Sequence, residues 1–160
     1  MKKWIFSGIF ALAAFTAQSQ QLSTVFTDDV SRWTYESFDF RTNFTNDWDN
    51  WNCSGTNIRT DFSEDWDRWT IGDVTLRTVF SNDWDRWEIQ GHGTTIQVRT
   101  TFHDDYERWD ISGDADGTMR TVFYENYERW NVDIEGFDGL HEDIQIAILF
   151  VAVFTAFHLM

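Results

Sequence analysis

The chain has no proline and a single cysteine, Cys53. Without proline, its turns fall to glycine, asparagine and aspartate. One cysteine excludes a disulfide framework, and none stands where a lipid attachment would follow the N-terminal segment. Lysine occurs only at Lys2 and Lys3, so the remaining ten cations are all arginine. A solvated surface normally mixes the two, and exclusive arginine points to planar groups held in fixed, paired geometry. Positive charge is scarce: 12 Lys and Arg face 27 Asp and Glu, a net charge of −15, or −17 without the two lysines. Phosphate binding needs a basic surface, so nucleic acid is excluded as a partner. His92, His103, His141 and His158 share no spacing, and no Ser/His/Asp or Cys/His arrangement is evident. Every distinctive feature recurs five or six times, whereas catalysis needs one asymmetric site. The chain therefore reads as a non-enzyme.

The start, MKKWIFSGIFALAAFTAQSQ, places two lysines before an apolar run from Trp4 to Phe15, with small residues at Ala17 and Ser19. This has the form of a secretory signal peptide over residues 1–19, and the run is short for a membrane span. An exported protein of the periplasm, outer surface or exterior is expected.

From residue 20 to 135 the sequence repeats. The copies are TVFTDDVSRW, RTNFTNDWDNW, RTDFSEDWDRW, RTVFSNDWDRW, RTTFHDDYERW and RTVFYENYERW. Each sets a Phe and a Trp seven residues apart: Phe26 and Trp33, Phe44 and Trp51, Phe62 and Trp69, Phe80 and Trp87, Phe102 and Trp109, Phe123 and Trp130. The return connection from Trp to the next Phe is 11 residues three times, then 15, then 14. A period near 20 residues marks an array of small units that bury their faces against one another. Within a unit the side chains alternate, as in Leu76, Thr78 and Phe80 with Trp87 and Ile89, which is the β-strand period. Each unit is then two short strands, a fixed acidic turn and a variable glycine-bearing turn such as Gly72 and Asp73, where a tight hairpin needs positive φ.

The expected fold is an all-β antiparallel hairpin meander of about twelve short strands, curled or barrel-like. A β-solenoid is the alternative. Its equivalent acidic turns would stack about 4.8 Å apart rather than two strands apart, and unneutralised carboxylates at that spacing repel. The apolar face needs a cover. After a linker from residue 136, IQIAILFVAVFTAFHLM (144–160) is apolar on every side. Such a helix is buried in protein or in lipid, and a barrel of more than about eight strands needs a plug. A helix plugging the barrel is preferred over membrane contact through 144–160 or a last buried strand.

Four groups of residues are site candidates. Arg59, Arg68, Arg77, Arg86, Arg99, Arg108, Arg120 and Arg129 face away from the apolar side and suggest a structural ladder with carboxylates, Asp67 or Glu88 interleaving between Arg68 and Arg77. Asp65, Asp67, Asp83 and Asp85 in the acidic turns, and Asp114 and Asp116 in SGDADG, are oxygen ligands of the kind Ca²⁺ takes, though Phe123 stands where a calcium loop needs Glu. Turn formation accounts for them equally well. The core is expected to hold Phe62, Trp69, Phe80, Trp87, Phe102, Trp109, Phe123 and Trp130. Trp48, Trp66 and Trp84 lie inside the acidic turns, replaced by Val30, Tyr106 and Tyr127 elsewhere. Flat aromatics beside carboxylates suit glycans, so polysaccharide is a candidate partner, as is self-association. Cys53 takes an inward position and is expected as a small buried residue. The functional expectation is a secreted or cell-envelope β-repeat protein with a structural or adhesive role. A glycan-binding module and a Ca²⁺-stabilised solenoid are the alternatives.

Overall fold

The alternating units form strands in a computed structural model that describes residues 20–159. The leader expected over residues 1–19 lies outside the described residues. Twelve strands follow in order: β1 (Gln20–Phe26), β2 (Asp29–Tyr35), β3 (Phe38–Thr42), β4 (Asn50–Cys53), β5 (Thr56–Phe62), β6 (Asp65–Ile71), β7 (Val74–Thr78), β8 (Arg86–Gly91), β9 (Thr94–Thr100), β10 (Arg108–Gly113), β11 (Asp116–Phe123) and β12 (Asn126–Glu135). A short 3₁₀ turn (Phe137–Gly139) leads to helix α1 (Glu142–Leu159). Each strand pairs antiparallel with its sequence neighbours, and β1 pairs with β12, so the meander closes into a barrel. Closure leaves no free edge, and the solenoid alternative is set aside.

The register is the same in all six units. The Thr two residues before each Phe lies opposite the unit's Trp: Thr24 and Trp33, Thr42 and Trp51, Thr60 and Trp69, Thr78 and Trp87, Thr100 and Trp109, Thr121 and Trp130. All six tryptophans point inward and are at most 1% exposed. Ile58, Ile71, Leu76, Ile89, Ile96, Val98 and Met119 join them. Cys53 is buried as well, and burial pushes its thiol pKa up to about 12, which makes it a poor nucleophile.

The phenylalanines do not join this core. Phe62, Phe80, Phe102 and Phe123 are 72%, 58%, 68% and 59% exposed, and Phe26 and Phe44 stand out in the same way. The physical reason is a break in the ladder one step past the Thr–Trp pair. In β5 and β6, Thr60 faces Trp69 but Phe62 faces Asp65. Two positions on one strand thus match four on the other, a bulge that re-aims the side chain. The same shift follows Thr24 and Thr121. In the other three units the strand ends at the Thr and the Phe falls in a bend.

Helix α1 fills the barrel. Its residues from Ile146 to Ala156, and Ile144, are buried on every side, and it touches β2, β6, β7, β8, β9 and β12 around the ring. At about 27 Å it is long and apolar enough to cross a membrane by length and composition. In this arrangement 67% of it is buried inside the barrel. Twelve strands enclose more room than their own side chains fill. Phe150 and Phe154 take it up, packing edge-on against Trp69 and Trp87 at centroid distances of 4.8 and 5.0 Å.

Candidate functional site

All six acidic turns lie at one end of the barrel and share one construction. The second residue after the Phe is left-handed: Asp28, Asn46, Glu64, Asn82, Asp104 and Glu125 have φ between 54° and 60°. Asn and Asp tolerate that region better than other side chains. The third residue then accepts the backbone N–H of the fifth, an Asx turn: Asp29 from Ser31, Asp47 from Asp49, Asp65 from Asp67, Asp83 from Asp85, Asp105 from Glu107, Asn126 from Glu128. Trp33, Trp51, Trp69, Trp87 and Trp130 each donate Nε1–H to the carbonyl of the fourth residue at 2.7–3.0 Å. These bonds fix the seven-residue Phe-to-Trp spacing.

The fifth residue ties the turns into a ring. Asp49 accepts from the backbone N–H of Glu64 (3.1 Å), Ser63 Oγ (3.0 Å) and Trp66 Nε1 (2.8 Å). Asp67 accepts from the N–H of Asn82 (2.9 Å), Ser81 Oγ (2.7 Å) and Thr78 Oγ1 (3.1 Å). Asp85 takes the N–H of Asp104 (3.3 Å) and meets His103 Nδ1, Glu107 takes the N–H of Glu125, and Glu128 takes the N–H of Asp28. The last of these closes the ring from the sixth unit to the first.

Five of the six Ca²⁺ candidates accept hydrogen bonds within the protein, and the Asp116 side chain is exposed. Asp65 and Asp83 hold their own turns, Asp67 and Asp85 hold the next ones, Asp114 accepts the N–H of Thr95 at 2.8 Å, and Asp116 opens β11 opposite Glu135. The turn tryptophans point toward the barrel mouth rather than outward. Trp48 stacks on Phe157 at 5.4 Å, Trp66 meets Phe154, Phe157 and His158, and Trp84 lies 5.2 Å from Phe154 and 5.0 Å from His158. Half-buried, they close the mouth over the end of α1.

The arginines form a belt on the outer wall. Arg32 faces Arg41, Arg68 faces Arg77, Arg86 faces Arg99, and Arg108 faces Arg120 across paired strands. Arg59 lies opposite Asn50 and Arg129 opposite Ser23. Carboxylates relieve part of this: Arg77 meets Glu88 at 2.6 Å, Arg68 meets Asp61 at 2.8 Å, Arg32 meets Asp39 at 3.3 Å and Arg108 meets Asp110 at 3.6 Å. Glu88 pairs with Arg77 from the strand on its far side rather than from between Arg68 and Arg77, and Asp67 is spent on the neighbouring turn. Half-exposed pairs of this kind contribute at most about 1 kcal/mol each.

The junction of the fourth and fifth units departs from the pattern. His103 stands where four of the other turns have Ser or Thr and the sixth has Tyr124, and bridges Asp85 and Asp104, its Nε2 lying 3.4 Å from Asp104. Its pKa is raised by the hydrogen bond to Asp85 first, then by the charges of Asp104 and Asp85. Among the described residues only Asp85 Oδ1 and Trp109 Nε1 are buried polar side-chain atoms without a partner, and both lie here. Tyr106 stands at the position from which Trp66 donates to Asp49; burial first and then the Asp85 carboxylate push its pKa up to about 12. Beside them a groove of about 530 Å³ is lined by Arg86, Arg99, Thr101 and His103. At the far end of the barrel His92, His141 and Asp143 cluster, the two imidazoles stacked at 3.6 Å and Asp143 3.6 Å from His92 Nε2. Both trios have ligand atoms close enough for one metal ion. However, the far trio's stacked rings keep their lone pairs parallel, and His141 Nδ1 already accepts the N–H of Asp143. These trios escape sequence reasoning because no spacing joins their members; the only hint was the connection lengthened to 15 residues, which carries His92.

Fold and rim together define a class: a helix-plugged, twelve-strand antiparallel barrel built from six hairpin repeats with a hydrogen-bonded acidic rim. Comparison with protein-family models, curated proteins and solved structures finds no match.

Proposed function

We propose that this chain is a secreted or cell-envelope protein without enzymatic activity, serving a structural and adhesive role through its acidic rim. One observation carries the reading. Six phenylalanines, one per unit, encircle the rim and are 58–72% exposed, with Val25, Val79 and Tyr124 beside them. Repeated large apolar side chains held in water mark a contact surface. Elsewhere the molecule is closed: the sheet has no edge, the helix is enclosed, and the mouth is covered by tryptophan. The rim's carboxylates favour a partner that is apolar and basic. The glycan reading loses its support because the turn indoles are packed against α1.

The test is the triple variant Phe62→Ser, Phe80→Ser, Phe102→Ser in the full chain. Retention on a phenyl matrix should fall sharply, with the melting temperature held within a few degrees because no core contact is removed. Unchanged retention in a folded variant overturns the proposal.

A further inference from the structure

The first junction differs from the other five at one residue. In five units the fifth position is a carboxylate that reaches the next turn, and the turn's left-handed residue donates its N–H to it. In the first unit that position is Ser31. Its N–H and Oγ both turn back to Asp29, which lowers the Asp29 pKa, the hydroxyl contributing most. The groups served elsewhere are nonetheless in place. Asn46 N–H, Thr45 Oγ1 and Trp48 Nε1 correspond to Glu64 N–H, Ser63 Oγ and Trp66 Nε1, the three donors that converge on Asp49 at 3.1, 3.0 and 2.8 Å. In the first junction none of the three has an acceptor among the described residues. Asn46 has the same left-handed backbone as Glu64, φ 60° in both. Asn46, Thr45 and Trp48 line one groove of about 450 Å³ with Ser31, Phe44 and Asp29, Asp29 standing where Asp47 stands beside Asp49 in the next unit.

The protein thus displays five times over what this arrangement of donors receives. We infer that the groove between Ser31 and the 43–48 turn binds a carboxylate supplied by another molecule. The N–H of Asn46 is the one donor used in all five counterparts. Trp48 Nε1 adds the contact seen at Trp66, although Trp84 stands at the same position without bonding Asp67. Surrounding acidity is no bar, since Asp49 and Asp67 occupy equally acidic surroundings on the strength of such donors. Charge-assisted bonds to backbone N–H are the strong kind. Phe44, 71% exposed, forms one wall, so the ligand carries an apolar group next to its carboxylate. A small untethered ligand bears the full entropy of association, which sets its dissociation constant on the order of millimolar for a simple probe.

The inference is independent of the adhesive reading, whose test leaves Phe44 in place. The full chain is titrated with sodium acetate against sodium chloride at equal ionic strength while backbone amide and indole N–H resonances are followed. Acetate should shift the Asn46 amide and the Trp48 indole selectively and saturably. Ser31→Asp should move both resonances toward the positions of Glu64 and Trp66, abolish the acetate response, and keep or raise the melting temperature. Trp48→Phe, which keeps the ring and removes the donor, should weaken acetate several-fold. A wild-type response no larger than that to chloride, or an undiminished response in folded Ser31→Asp, overturns the inference.

Discussion

The two ends of the barrel are built by opposite rules. At the acidic end every turn has one length, every unit repeats the left-handed second residue, and glycine is absent from all six. At the other end the tips at 36–37, 54–55, 72–73 and 92–93 share no sequence, and the connections grow from 11 to 15 residues. The difference follows from who the neighbours are. At five of the six junctions an acidic turn is bonded to the next through a carboxylate, so a residue more or less would break the link. The tips are tied to their neighbours mostly by backbone bonds and single side chains, which tolerate a change of length, and one of them has grown a histidine that reaches α1. Sequence uniformity therefore marks the end where units hold one another, and sequence variety marks the end where single-copy features collect.

The largest break in this contrast is removal of the element both ends share. Truncation before Ile144 strips the lumen of twelve buried helix residues, among them the rings against which Trp51, Trp69 and Trp87 pack. The expected outcome is loss of the cooperative melting transition and aggregation of the truncate. A soluble truncate with an unchanged near-ultraviolet tryptophan signal would show that the barrel stands unaided.

A sharper comparison sets one bond network against another. Asp67→Ala removes the acceptor for Asn82 N–H, Ser81 and Thr78 at once, and should cost about 2–3 kcal/mol by denaturant unfolding. Ser54→Ala at the opposite end removes two bonds to the neighbouring tip, from Ser54 Oγ to the Ser37 carbonyl and from the Asp39 N–H to Ser54 Oγ, both of uncharged groups; about 1 kcal/mol is expected. Equal losses would remove the distinction between a rim tied through carboxylates and tips tied through neutral groups.

The tips also differ among themselves. A Cβ on Gly72 would lie 2.4 Å from the Asp143 carboxylate at a φ of +54°, whereas at Gly55 nothing lies within 4 Å, with φ +105°. Gly55→Ala should show only the backbone cost, about 1–2 kcal/mol. Gly72→Ala should exceed it and also displace α1 from the β6–β7 tip, read as faster hydrogen exchange at Ile144 and Gln145.

Much of this was legible beforehand, and the rest has identifiable reasons. Alternation at Ile58, Trp69, Ile71, Leu76 and Ile89 yields the strands and the inward tryptophans, and an all-apolar tail behind a large sheet points to a plug. Phe62 and Phe80 were misplaced because alternation presumes an unbroken ladder. No residue announces the bulge, since Glu64 and Asn82 occupy its left-handed position where glycine would have signalled it. The direction of Trp66 and Trp84 was not legible because it depends on Phe154 and His158, some 70 to 90 residues away. The carboxylates looked available to Ca²⁺ because their acceptor bonds run to the next unit, 14 to 19 residues on. A single unit read alone cannot show that.

The smallest expected effect separates the outside of the acidic end from its inside. His103, on the outer surface, has a pKa raised above its ordinary value by Asp85 and then Asp104. Its stabilising contribution is therefore complete below about pH 6.5 and is lost as pH rises through the raised value. His158, stacked on Phe154 at 5.3 Å beneath Trp84, has a pKa lowered by burial. Charging it is resisted in the fold, so stability falls as pH drops below about 6.5 toward the lowered value. In the wild type the two tilts oppose each other. His103→Ser should leave a melting temperature that declines more steeply on acidification than the wild type, and His158→Phe one that declines less. The same slope in both variants would mean that the covered mouth and the exposed turn are not electrostatically distinct, and that water reaches His158 through the tryptophan cap.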